Sequence, residues 1–329
     1  MTRNFTRGPL AVVATALALI VAHDAFAQPT EPPPAAAPLS RDEPSLAPNA
    51  EAPKAPAAPY SLPFQLRPAG PPPDVMRLDT VIAPYGSGTA SGTATVSMLT
   101  GGLRFGSHFG AFARAGIVNH STDATPTTQI FTNPVVGGVY GTKLGSDLRL
   151  ALYFAAALPV GSGGGNTPNK DAQKALGAGN LARSAMDGTM FAVNDLALIP
   201  GADLAYTAHG FTVQVEATVG QLLRTRGEAV QKDATRTNFM SGVHVGYFVL
   251  PFLSVGVEGR YQRWLTTPAA VEKDASLRDN LTAAGGLRAI IPVRGATKML
   301  PGVSYAMGLR GATGDRDYHV VQVDIPVVF

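Results

Sequence analysis

The chain has 329 residues, no cysteine and a formal net charge of +3. The lack of cysteine excludes a disulfide framework and a thiolate metal site, and so small a net charge gives no reason to expect a nucleic-acid partner. The 36 glycines and 27 prolines argue against a helical protein, because both residues are unfavourable inside helices. Their distribution along the chain decides between disorder and a fold built of many strands.

The first 27 residues have the three parts of a secretory signal peptide. Arg3 and Arg7 precede an apolar run over residues 10–22, and the small-residue sequence Ala25-Phe26-Ala27 follows it. As a helix this run would rise only about 20 Å, which is short of the ~30 Å hydrocarbon core that a membrane anchor must cross. We therefore expect cleavage after Ala27 and export of the remaining chain.

Residues 28–75 are rich in proline and alanine and hold 15 of the 27 prolines. Proline removes a backbone donor and blocks helical geometry, so this segment is predicted to be an extended, disordered periplasmic linker. Two interpretations stay open: a leader without a partner, or a tether that contacts the cell wall or a periplasmic protein. Its more apolar part, residues 60–66, is a candidate to dock against the body or to enter its lumen.

Residues 76–329 alternate between apolar and polar side chains, as β-strands with two different faces do. In the clearest strand, Phe211–Arg224, residues Phe211, Val213 and Val215 share one face, while Thr212, Gln214 and Glu216 share the other. The predicted strands have about 10–14 residues, whereas strands of soluble proteins average about 5–6 and membrane strands need about 9–11. This length favours strands that cross a membrane.

The connections between these strands alternate between short and long, as they do in outer-membrane barrels. The pattern predicts an all-β, antiparallel transmembrane β-barrel of 12 strands with both chain ends on the short-turn side. Ten strands are the alternative, because the first strand, around Leu78–Tyr85, alternates weakly. The short turns lie near 106–109, 144–147, 208–210, 250–252 and 292–298, and the long ones near 86–92, 121–130, 161–194, 226–235, 266–277 and 311–316. The longest, 161–194, contains a helical segment over Lys170–Leu176 and either folds into the pore or faces the environment.

The last strand carries a feature that points to a family. Apolar residues alternate along it up to an aromatic residue at the C-terminus, and this ending resembles the assembly signal of bacterial outer-membrane β-barrel proteins. The resemblance implies an outer-membrane location in a Gram-negative cell envelope and contact with outer-membrane lipid. It also implies that the barrel-insertion machinery recognises four residues of this strand: Val323, Ile325, Val327 and Phe329. Pro326 departs from the usual pattern, which a strand tolerates near its end. The resemblance covers residues 76–329 and identifies no subfamily.

Tight hairpins fix which interior residues face each other. The turn at 208–210 places Asp203 opposite Glu216, and the turn at 250–252 places His244 opposite Glu258. The lumen-lining candidates are Asp203, Glu216, His244, Glu258, Arg260 and Arg288. They would form either a constriction of oriented charge in an open or gated channel, or a set of ion pairs that fills a narrow barrel.

The sequence thus favours a passive channel for small hydrophilic solutes. The alternative is a non-conducting structural or adhesive barrel that acts through its surface loops and its proline-rich linker. An enzyme is the contrasting class, with His120, Ser121 and Asp123 near an outer rim, or His244 with Glu258, as its possible site. The chain has no G-x-S-x-G or H-E-x-x-H motif. We therefore expect no enzymatic activity, no cofactor and no metal.

Overall fold

The computed structural model of the chain describes residues 59–87 and 90–329. The predicted signal peptide, residues 1–27, and the predicted linker up to residue 58 lie outside the described residues. From Val75 onward the chain forms one antiparallel sheet that closes on itself, because the first strand pairs with both the second and the last.

Fifteen strands make up this sheet, and they occupy 12 positions around the barrel. β4 and β5 pair with successive parts of β3 and together form one wall strand. β12 and β13 form a short hairpin at the turn between β11 and β14. The prediction of 12 strands is confirmed, and the alternative of ten is wrong because the weakly alternating first strand is present. The strands are β1 Val75–Ser87, β2 Ala90–Phe105, β3 Phe109–Thr122, β4 Thr125–Phe131, β5 Val135–Leu144, β6 Leu148–Ala157, β7 Asp195–Ala208, β8 Phe211–Arg224, β9 Thr235–Leu250, β10 Leu253–Trp264, β11 Asp279–Ala289, β12 Ile291–Arg294, β13 Thr297–Met299, β14 Gly302–Arg310 and β15 His319–Val328.

The two faces of the wall have opposite chemistry. On β8, Phe211, Val213 and Val215 are about half exposed on the outer surface, whereas Thr212, Gln214 and Glu216 are buried inside. A soluble protein would bury the apolar set and expose the polar one. An apolar outer band around a polar interior is the arrangement that a barrel surrounded by lipid requires.

One end of the barrel has the five connections that the sequence predicts to be short. Four of them have two or three residues, and the fifth, residues 290–301 between β11 and β14, is longer and holds the β12–β13 hairpin. The turn from β7 to β8 has two residues, His209 and Gly210, which both have positive φ angles and so form the turn type that matches the twist of a hairpin. At the other end, the long connections predicted near 86–92 and 121–130 are wrong. β1 and β2 are separated by two residues, and so are β3 and β4. These hairpin tips are rich in small polar residues, which interrupt the alternation without ending the strands.

The longest connection, residues 158–194 between β6 and β7, folds inward and is called the inner loop below. It holds helices α1, Lys170–Ala182, and α2, Gly188–Phe191. The predicted helix is therefore present and longer than expected. Asn169 caps it by accepting hydrogen bonds from two backbone N–H groups. Its buried residues Ala175 and Leu176 join an apolar cluster with Val96 and Val118 of the wall.

Three smaller elements complete the outer connections: α3 Ala269–Lys273, a 3₁₀ turn Ala275–Leu277, and α4 Ala312–Asp315. Among the residues that the structure describes, no helix is long and apolar enough to cross a membrane.

Candidate functional site: the occupied lumen

Residues 59–74, called the plug below, precede β1 and lie inside the barrel. Ser61, Phe64 and Leu66 of the plug are buried. The sequence predicts a disordered linker that ends at residue 75, with residues 60–66 as a candidate to dock against the body or enter the lumen; in the structure residues 59–74 lie in the lumen. Proline-rich backbone offers few N–H donors, but its carbonyl groups accept hydrogen bonds from the wall, and its remaining N–H groups donate to wall carboxylates.

Glu258 is the first anchor of the plug. Its carboxylate accepts hydrogen bonds from the Phe64 N–H and, at 3.3 Å, from the Gln65 N–H. The same carboxylate pairs with Arg260 at 2.7 Å, and His244 lies opposite Glu258 in the register, 3.5 Å away. Three of the predicted lumen residues, His244, Glu258 and Arg260, therefore lie together beside Phe64 and Gln65 of the plug.

Glu216 is the second anchor. It accepts hydrogen bonds from the Arg67 backbone N–H at 2.7 Å and from the Arg67 guanidinium at 2.9 Å. Asp203 lies opposite Glu216, as the hairpin register predicts. One Asp203 oxygen accepts a weak hydrogen bond from Gln214, and the other is buried with no hydrogen-bond partner among the described residues.

Arg288 is the third anchor. It donates to the carbonyl oxygens of Leu62 and Pro63, both at 3.1 Å, and pairs with Asp324 at 3.0 Å. The Phe64 carbonyl accepts hydrogen bonds from two further wall residues, Arg77 and Gln322. The plug is thus held mainly by polar contacts with the inner face of the barrel.

The inner loop enters the lumen from the other end. Arg183, fully buried, pairs with Asp79 of β1 and with Asp187, both at 2.9 Å, and Arg114 of β3 pairs with Asp187 at 2.6 Å. Burial alone would raise the pKa of Asp187, but the charges of Arg114 and Arg183 outweigh it and hold the pKa below its ordinary value. The Gln65 side chain donates to the Arg183 carbonyl at 2.5 Å, so the plug and the inner loop touch.

These contacts join into a chain of alternating charges across the lumen. Between Asp187 and Asp324, the connecting members are Arg183, Asp79 and Arg77, with no gap above 3.8 Å. Sequence reasoning missed these residues as a site. Asp79 and Arg77 lie on the weakly alternating first strand, and Arg183 with Asp187 lies in a connection whose inward path has no sequence signature.

All six predicted lumen residues face the interior and are buried. Of the two sets of residues considered for an enzyme, His244 and Glu258 meet, whereas His120 and Asp123 have other partners. His120 hydrogen-bonds the Tyr85 hydroxyl at 2.7 Å, and Asp123 instead accepts from Ser91 at 2.5 Å. Within residues 59–87 and 90–329, no group of three or more acidic or histidine side chains is placed to hold a metal ion.

The plug approaches the wall closely at glycine positions. A methyl group added at Gly141 would lie 2.5 Å from the carbonyl carbon of Gly70 and 3.0 Å from the Cα of Pro71. At Gly242 it would lie 2.9 Å from a methyl carbon of Leu66. Ordinary contact between carbon atoms is about 3.5–4.0 Å, so a side chain at either position would displace the plug or the wall.

Comparisons with known proteins agree with this architecture. No protein-family model matches the sequence, and no curated protein is significantly similar to it. Among solved structures, the COG4313 outer membrane channel from Pseudomonas putida F1 is similar with a TM-score of 0.51 at 11% identity, covering 81% of this chain and 98% of that one. The NanC porin has a TM-score of 0.44 at 11% identity, covering 77% and 98%. The translocator domain of the autotransporter NalP from Neisseria meningitidis has a TM-score of 0.43 at 12% identity, covering 78% and 87%.

The closed 12-stranded wall, its apolar outer band and this likeness in fold make the chain an outer-membrane β-barrel surrounded by outer-membrane lipid.

Proposed function

We propose that the barrel is a passive channel for small hydrophilic solutes and that the plug closes it at rest. The observation that carries the proposal is the chemistry of the contact between plug and wall. Glu216, Glu258 and Arg288 hold the plug through hydrogen bonds and ion pairs. Water and solute can take over such bonds when the plug moves, because a hydrogen bond to a charged group contributes only about 1.5–3 kcal/mol net.

The size of the barrel supports the same function. Barrels of about 8 strands are filled by their own side chains, and those of about 16–18 leave an aqueous channel. With 12 positions, this barrel has room for a backbone segment in addition to its interior side chains. A segment that is not part of the wall can leave without unfolding it. The similar Pseudomonas putida protein is described as an outer membrane channel, which agrees with the proposal, although the likeness at this identity concerns the fold alone.

The test compares two deletions of equal length in a planar lipid bilayer. Deleting residues 59–73 removes the plug, and deleting residues 40–54 shortens the predicted linker by the same amount. We expect larger or more frequent unit currents from the first deletion than from the full chain, and unchanged currents from the second. Folding is checked beforehand by the heat-dependent gel shift of a closed barrel. A correctly folded barrel without its plug that stays silent would overturn the channel function.

The predicted lumen residues have a defined place in this proposal. Asp203, Glu216, His244, Glu258, Arg260 and Arg288 would line the path once the plug has moved. Removing one charge from the wall should then change the ion preference of the current. We expect Glu258→Gln to lower the preference for cations and Arg288→Gln to lower the preference for anions. The ion preference is measured as the reversal potential in a salt gradient. Both substitutions are made in the chain that lacks residues 59–73, so that changes in the binding of the plug do not contribute.

A non-conducting structural or adhesive barrel is the second candidate. The observation that favours it is the occupation of the lumen from both ends, by the plug and by the inner loop around Arg183. In that case the outer connections or the predicted linker would do the work, the latter by contacting the cell wall or a periplasmic protein. Silent bilayers after deletion of residues 59–73 would favour this candidate over the channel.

A further inference from the structure

Beside the plug lies a cavity of about 380 Å³, called the side cavity below. It is bounded by the plug, by the inner faces of β1–β3, β5–β7 and β15, and by Asp187, Thr189 and Met190 of the inner loop. The anchors Glu216, Glu258 and Arg288 do not line it, so the cavity lies on the side of the plug away from these three residues. Its volume is within the range of about 300–1,000 Å³ that small-molecule sites occupy.

Most of the cavity surface is apolar. The wall contributes Phe112, Val139 and Ile199, and the plug contributes Leu66 and the three prolines 71–73. A solute with an apolar body loses little on entering such a space, because it exchanges water for apolar contacts. The apolar lining therefore favours organic solutes over small inorganic ions.

The charged groups that the cavity presents are mainly positive. The side chains of Arg67, Arg77 and Arg114 are 28%, 13% and 16% exposed, respectively. The carboxylates that line the cavity are more deeply buried: Asp79 is 3% and Asp187 7% exposed, and Asp203 is 1% exposed. A solute in the cavity meets guanidinium groups first, while the carboxylates lie behind them.

Arg149 differs from the other arginines of the cavity because no acidic residue of the described part of the chain pairs with it. Among the residues that the structure describes, its guanidinium forms no ion pair and donates no hydrogen bond; its carbon Cζ lies 4.7 Å from the centre of the Tyr60 ring. A guanidinium has five N–H donors in a planar arrangement that matches a carboxylate. Within the described residues, Arg149 is thus the arginine of this mainly apolar cavity that has no acidic partner.

We infer that the side cavity binds small organic anions that carry an apolar body, and that Arg149 binds their anionic group. This inference rests on the proposed channel function, for which it supplies the class of solute. The guanidinium would pair with a carboxylate of the solute, Tyr60 would flank the pair, and the apolar wall would hold the remainder of the molecule.

The test measures binding to the full folded chain in detergent by calorimetry. Benzoate is the anionic probe, benzyl alcohol the neutral one and benzylammonium the cationic one, all with the same ring. We expect benzoate to bind at least about tenfold more tightly than benzyl alcohol, because a guanidinium binds a carboxylate more strongly than it binds a neutral hydroxyl. Arg149→Gln should remove most of this preference, and Arg149→Lys should retain part of it. The control Arg294→Gln, an exposed arginine outside the cavity, should leave it unchanged.

The ratio of the affinities for benzoate and benzyl alcohol distinguishes recognition of the anionic group by Arg149 from a general loosening of the plug. If Arg149→Gln acted only by weakening the contact with Tyr60, benzoate and benzyl alcohol would be affected alike and their ratio would stay the same. That result would overturn the inference. So would equal binding of the two probes, a preference for benzylammonium, or no binding of benzoate at millimolar concentration.

Currents recorded in the bilayer distinguish a failure here from a failure of the channel itself. A conducting barrel without preference for benzoate would leave the proposed function intact and overturn only the assignment of the solute. A barrel that binds benzoate through Arg149 but never conducts would overturn the channel and support the cavity as a binding site.

Discussion

Replacing Gly141 by alanine should open the channel without removing any charge. Gly141 lies on β5 with its inner face against Gly70 and Pro71 of the plug. The added methyl group would lie 2.5 Å from the carbonyl carbon of Gly70, where carbon atoms normally approach to about 3.5 Å. The carbonyl oxygen of Gly70 lies closer still, so the plug or the wall must move by more than about 1 Å.

The plug is the part more free to move. Gly141 is hydrogen-bonded within the wall, where its N–H donates to the His108 carbonyl at 2.7 Å, and β5 pairs along its whole length with β6. Inserting a methyl group into a tightly packed contact costs about 1–3 kcal/mol. If this cost falls on the plugged state alone, the ratio of displaced to seated plug rises about 5- to 150-fold.

Single-channel recording measures this ratio as the open probability. The matched control is Gly138→Ala on the same strand, where an added methyl group meets nothing closer than 3.7 Å. We expect a higher open probability for Gly141→Ala than for the control and an unchanged conductance of the open state. An open probability equal to that of the control, together with a lowered unfolding midpoint, would mean that the wall relaxes instead and would refute the reasoning.

Three further predictions concern stability and assembly. Arg183→Met removes the cation that Asp79 and Asp187 share, although Arg77 and Arg114 still pair with these carboxylates. It should lower the free energy of unfolding by about 3 kcal/mol in urea titrations, the lower end of the cost of removing one partner of a buried ion pair. Arg263→Met, at an exposed ion pair, should change it by less than about 1 kcal/mol; equal effects would contradict the prediction. The pKa of Asp187 in the folded protein lies below the ordinary value of an aspartate. Its ion pairs therefore stabilise the fold at every pH above the ordinary pKa, and this stabilisation is lost as the pH falls from the ordinary pKa to the lowered one. The difference in unfolding free energy between the wild type and Asp187→Asn should therefore shrink from pH 7 towards pH 2, and a constant difference would count against it. Deleting Phe329 should reduce the fraction of protein that shows the heat-dependent gel shift in membranes; deleting residues 40–54 is the control, and equal fractions would argue against a terminal assembly signal.

Much of the wall could be predicted because each strand carries its own signal. In Phe211–Arg224 and Leu253–Trp264, alternation determines which side chains meet lipid and which face inward, and a one-residue slip would exchange the two sets. Tight turns then fix the partners across each hairpin, which is why the pairing of Asp203 with Glu216 follows from residue numbers alone. These relations are local, so the sequence contains them.

The contents of the lumen depend on contacts between distant parts of the chain. Nothing near Phe64 indicates that its N–H will meet Glu258, nearly two hundred residues away. Proline-rich composition is typical of linkers, and the same composition suits a segment bound through its carbonyl groups. The inward path of the inner loop depends in the same way on the buried pair of Arg183 with Asp79, whose partners are a hundred and four residues apart.

Proline and glycine, the two residue types that stand out in the composition, meet where the plug contacts the wall. Proline restricts the backbone, so residues 68–73 lose less conformational entropy on entering the lumen than a flexible segment would. A stiff backbone cannot bend around side chains of the wall. At two places where the plug backbone approaches the wall most closely, the wall residue is a glycine. Gly110 lies against Pro72, and Gly141 lies against Gly70 and Pro71. If this fit holds the plug, alanine at Gly110 should open the channel as alanine at Gly141 does. The two substitutions together should exceed either alone, because each acts on a different residue of the plug.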